Sequence, residues 1–75
     1  MTHKISGIIT EYDHRTGTGH ILLYDSHIKT TIFYFTSFDS GLIPRLPKEG
    51  DEVEVVFGNK SLLPLAVYAK NRKLL

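Results

Sequence analysis

The sequence predicts a small all-β domain, a five-stranded barrel wired as a Greek key. Three observations predict it. The apolar residues fall in short runs rich in Ile, Val, Thr, Tyr and Phe, which suit a pleated, half-buried surface. No run keeps a helical period, because Gly, Pro or β-branched residues interrupt each candidate. The runs come as three in close succession, a long connection, then two more, and small Greek-key barrels are wired this way.

The first run, Lys4 to Tyr12, carries Ile5, Ile8 and Ile9. Its alternation is imperfect and Gly7 sits inside it. A glycine there predicts a bulge or sharp coil, where one strand bends to serve two sheets. Asp13 to Gly19 is dense in turn formers and predicts a hairpin into the second run, His20 to Asp25. A short polar turn, Asp25 to Lys29, leads to the third run, Thr30 to Thr36, with Ile32, Phe33, Tyr34 and Phe35. The long connection, Ser37 to Gly50, holds Pro44 and Pro47, which leave room for one short helical turn and no long helix. Glu52 to Phe57 alternates cleanly and places Val53, Val55 and Phe57 in the core. Gly58 to Pro64 is the last loop, and Leu65 to Ala69 the last strand. Five strands in this order predict the OB-fold, the five-stranded Greek-key barrel.

Residues 1–75 make one domain with a small core, so stability is expected to be marginal. The absence of cysteine excludes disulfide scaffolds, thiolate metal sites and redox CxxC modules, and fits a reducing compartment. No apolar run reaches the length of a signal peptide or a membrane span. The expectation is a complete, soluble, cytoplasmic protein. The formal charge of +1 points weakly at any partner. Basic residues gather at Lys70, Arg72 and Lys73, and acidic ones at Asp51, Glu52 and Glu54. The plain reading of both clusters is solvated surface.

With the elements in place, the chain resembles the cold-shock domain family from about Lys4 to Asn71. The resemblance is carried by Gly7-Ile8-Ile9, then Gly17-Thr18-Gly19-His20-Ile21, then Ile32-Phe33-Tyr34-Phe35-Thr36 followed by Ser37-Phe38. Lys48-Glu49-Gly50 precedes the alternating strand, and Pro64-Leu65-Ala66 stands near the close. The resemblance implies a barrel that binds single-stranded nucleic acid, with a role in RNA chaperoning or transcript regulation. The departures fall in the binding motifs. The family's tryptophan on strand one and two phenylalanines on strand two correspond to Glu11, Thr18 and His20, and the first aromatic of strand three to Ile32.

Aromatic rings on a sheet stack on successive bases whatever their sequence, and cations track the phosphates. The expected nucleic-acid-binding residues are Tyr12, Arg15, Thr18, His20, Lys29, Ile32, Tyr34, Phe35, Phe38 and Lys60. Glu11 works against binding, because a carboxylate repels phosphate. Losing two or three rings removes roughly 2–9 kcal/mol from an ideal platform, so binding is expected to be weak, salt-sensitive or retargeted.

Each of these residues also has a plainer reading. Tyr34 and Phe35 are neighbours on a strand, so one of them faces the core, with Phe35 or Phe33 the better core candidate. Tyr12 fits equally a cap on the barrel, Phe38 a core position under the long loop, His20 and Arg15 ordinary surface.

Gly17-Thr18-Gly19 is not a phosphate cradle, since no Lys-Ser/Thr and no helix follow it; its glycines permit a tight turn and a close backbone approach. The histidines His3, His14, His20 and His27 lack ligand spacing, and no triad or carboxylate pair suggests catalysis, so no metal, cofactor or enzymatic activity is expected. The expected partner is single-stranded DNA or RNA. The competing expectation is a protein-interaction or homodimerising module, using a face of Glu11, Thr18, Ile32 and Tyr34.

Overall fold

The structure is a computed structural model that describes residues 3–41, 43–59 and 62–70. It is all-β. The strands are β1 (His3–Asp13), β2 (Thr18–Leu23), β3 (Thr30–Tyr34), β4 (Phe38–Asp39), β5 (Glu52–Phe57) and β6 (Pro64–Ala69). They form one curled sheet in the order β3-β2-β1-β5-β6-β4. The only helical turn among the described residues is a 3-10 turn at Phe35–Ser37.

The long strand β1 organises the sheet. Its residues from Gly7 onward pair with β2, while His3 to Ile8 pair with β5 on its other edge. One strand thus serves two neighbours within a single sheet. The bulge that sequence places near Gly7 lies instead at Thr10, between Ile9 and Glu11. Gly7 answers a different demand: a Cβ there would stand 2.6 Å from the Leu22 carbonyl oxygen and 2.8 Å from Ile21 Cγ2.

The third strand ends at Tyr34, two residues short of its expected end, because the chain turns at Phe35–Ser37. It re-enters the sheet at once as β4, which pairs parallel with β6 through Phe38↔Val67 and Asp39↔Tyr68. The two ends of the strand order are therefore consecutive in the chain and three residues apart. Sequence does not announce β4, since two residues carry no period.

The alternate inward residues build one core of Ile9, Ile21, Leu23, Phe33, Val53, Val55, Phe57 and Val67, with Ile5, Tyr12 and Phe38 packed against it. The long connection beyond β4 is fastened by Asp51. Its carboxylate accepts from Arg45 Nη1 at 2.8 Å, Arg45 Nη2 at 3.3 Å and the Lys48 backbone N–H at 3.0 Å. The Arg45 guanidinium also sits 5.7 Å from the Phe38 ring centroid, so one cation ties loop to core. Asp51 is thus an anchor and not the solvated acid that its cluster suggests; its side chain is 8% exposed. At the other cluster, Lys70 Nζ donates to Ser6 Oγ at 2.8 Å, joining the chain's last described residue to β1. Arg72 and Lys73 lie outside the described residues.

No helix among the described residues is long and apolar enough to cross a membrane.

Candidate nucleic-acid interface

The surface of interest is the outward side of β2 and β3. Strand residues alternate between faces, so burying Gly19, Ile21 and Leu23 on β2 turns Thr18, His20 and Leu22 outward. On β3, burying Thr31 and Phe33 turns Thr30, Ile32 and Tyr34 outward. The antiparallel register then sets the outward residues side by side as Thr18↔Tyr34, His20↔Ile32 and Leu22↔Thr30. Four expected residues, Thr18, His20, Ile32 and Tyr34, thus share one face.

Glycines make this arrangement possible from beneath. A Cβ on Gly19 would meet Phe33 Cε1 at 2.6 Å and the Glu11 carbonyl oxygen at 2.8 Å. The Phe33 ring fills the space that a side chain would need. Gly17, at φ +74°, closes the β1–β2 hairpin. A Cβ there would stand 2.6 Å from Phe35 Cδ1, and the Phe35 backbone N–H donates to the Gly17 carbonyl at 2.8 Å. Phe35 thus lies against the hairpin, 49% exposed, close to the end of the Tyr34 row. The expectation that Tyr34 and Phe35 take opposite faces fails here. Phe35 leaves the strand at the 3-10 turn, and Phe33 alone takes the core position.

The bulge decides which residues of β1 join the face. Gly7 and Ile9 face the core, so strict alternation would send Glu11 inward and Tyr12 outward. The extra residue at Thr10 reverses that phase. Tyr12 pairs with Gly19 in the inward row and stacks on Phe33, with centroids 6.2 Å apart and 23° between planes. Glu11 pairs with His20, and Asp13 with Thr18, in the outward rows. Tyr12 therefore packs on the core side, away from Tyr34. Phe38 does likewise, its ring 6.4 Å from Phe33.

Charge on the face is mixed. Glu11 Oε2 lies 2.7 Å from His20 Nδ1. The Asp13 carboxylate accepts the Arg15 backbone N–H at 2.9 Å and lies 3.5 Å from its guanidinium Nε. These contacts, the backbone one first, hold the Asp13 carboxyl below the usual carboxylate range. The hydroxyls of Thr16 and Thr18 share a hydrogen bond of 2.7 Å. Arg15 stands exposed at the Tyr34 end of the face and Lys29, also exposed, at the Thr30 end. Lys4 is exposed on the β5 side of β1, opposite Val56 and away from Tyr34. Lys60 lies outside the described residues.

Beside β3 runs an open groove of about 460 Å³, lined by His20, Thr30, Thr31, Ile32, Leu62 and Leu63. Neither Leu62 nor Leu63 is among the binding residues expected from the sequence. Their only signal is a pair of leucines in a loop, outside any strand alternation. Among the described residues, no three His, Cys, Asp or Glu gather as metal ligands do.

No family model matches the sequence, and no curated protein matches it significantly.

Proposed function

We propose that this protein is a cold-shock-like OB-fold barrel that holds single-stranded DNA or RNA weakly on the outward face of β2 and β3. A meander of three strands, with a fourth segment leading from β3 to the far side of the sheet, supports the Greek-key reading. The single observation that carries the functional reading is the outward row of His20, Ile32 and Tyr34, continued by Phe35. Ile32, Tyr34 and Phe35 are 44%, 47% and 49% exposed, respectively, more than a residue serving only the core would be. Five residues of β3 span roughly 17 Å, which gives room for roughly two or three stacked bases. Arg15 and Lys29 bracket that strip and would meet phosphates at either end. A chain without cysteine fits work in the cytoplasm.

The test is a titration of isotopically labelled protein with short oligothymidine, followed by backbone amide shifts. The expected shifts localise to His20, Ile32, Tyr34 and Phe35. Two phosphate contacts give a salt slope of about −1.4 in log K against log salt. Unchanged spectra at near-millimolar oligonucleotide would overturn the reading.

A second reading has its own observation. Leu22, Ile32, Leu62 and Leu63 are exposed apolar residues on or beside the same face, a feature of protein interfaces. It predicts concentration-dependent sedimentation, or a protein partner that shifts these residues while oligonucleotide does not.

A further inference from the structure

The Thr10 bulge places a carboxylate where alternation would have placed a tyrosine, and the consequence concerns where a bound strand lies. Glu11 stands in one cross-strand row with His20 and Ile32. Its carboxylate is fixed there by the 2.7 Å contact to His20 Nδ1 and remains 66% exposed. Asp13, next along β1 on the same side, is already matched by Arg15. Among the described residues, Asp13 is paired with the Arg15 guanidinium and Glu11 with the His20 imidazole, so Glu11 is the paired carboxylate of this face that no Lys or Arg matches.

Resting on the nucleic-acid reading above, we infer that Glu11 sets the footprint of the bound strand. Its carboxylate repels phosphate from β1 and confines the strand to β2 and β3. The same contact turns the His20 ring toward β1, leaving Ile32 and Tyr34 as the centre of the stacking strip. Glu11 thereby limits affinity and selects for short, narrow contact in place of a strand laid across three strands of sheet.

The experiment compares wild type, Glu11→Gln and Glu11→Lys in oligothymidine titrations at low and high salt, with amide shifts as the map. Gln keeps an acceptor for His20 and removes the charge; Lys reverses the charge. Thermal unfolding of each variant confirms that it is folded. The expected result is an order set by charge. Glu11→Gln binds about tenfold tighter than wild type at low salt, as expected for one charge contact near a surface, and Glu11→Lys tighter again. Both gains shrink at high salt, and the shifted amides spread to Thr10, Glu11 and Asp13. Equal affinities across the three charges, or a footprint that stays on β2 and β3, would overturn the inference while leaving the nucleic-acid reading intact. Failure of all three folded proteins to bind would remove both.

Discussion

The two faces of β2 and β3 come from the same few residues and follow opposite rules. The inward residues, Ile21, Leu23, Thr31 and Phe33, are buried and leave little freedom. Phe33 alone touches Tyr12, Phe38 and the space above Gly19. The outward residues, His20, Leu22, Ile32 and Tyr34, each have solvent on one side, and the fold does not dictate them. The inner face therefore reports how the chain folds, and the outer face is where the proposed binding would be set.

That contrast is broken most severely from within. Phe33→Ala removes a fully buried ring and should cost about 3–5 kcal/mol. For a domain this small that approaches its whole stability, so circular dichroism and amide dispersion should show a largely unfolded chain. Gly19→Ala strikes the same ring from the opposite strand. Its methyl would meet both the ring and a main-chain oxygen that cannot rotate away, which should cost about 1–3 kcal/mol, read as a lowered urea midpoint. Asp51→Ala tests the loop anchor away from both faces. It leaves Arg45 and the Lys48 N–H without their acceptor, for an expected loss of about 1–2 kcal/mol.

The smallest effect belongs to Asp13 at the hairpin. Its carboxyl is held below its ordinary value, so the ionised form favours the folded state. Its stabilisation is full above the ordinary aspartate value of about 3.9 and is lost as pH falls through the lower folded value. Wild type and Asp13→Asn should therefore differ in urea midpoint at neutral pH and converge as pH drops below about 3.9. A difference that persists in acid would assign the effect to hairpin geometry and not to charge.

Much of the inner face was legible in the sequence, because burial enforces a period of two. Glu52 to Phe57 reads its core out directly, and β5 occupies those residues. What stayed hidden has a common physical cause: features one or two residues long break a period without replacing it. The Thr10 bulge exchanges Tyr12 for Glu11 on the outer face, and no composition rule marks it. The 3-10 turn takes Phe35 off the strand, so it stays out of the core and lies against the hairpin at the end of Tyr34's row. The two-residue β4 leaves no pattern, yet it carries the chain from β3 to β6. The grouping of Thr18, His20, Ile32 and Tyr34 was foreseeable from alternation and the short hairpins; the place of Leu62 and Leu63 beside them was not.

The most direct test is Tyr34→Ala, measured for stability and for oligothymidine affinity on the same sample. The account predicts a melting temperature close to wild type, because Tyr34 is 47% exposed and outside the core cluster. Affinity should fall by the worth of one stacked base, about 1–3 kcal/mol, or roughly 5- to 150-fold. An unchanged affinity, or a loss of stability with binding intact, would contradict it.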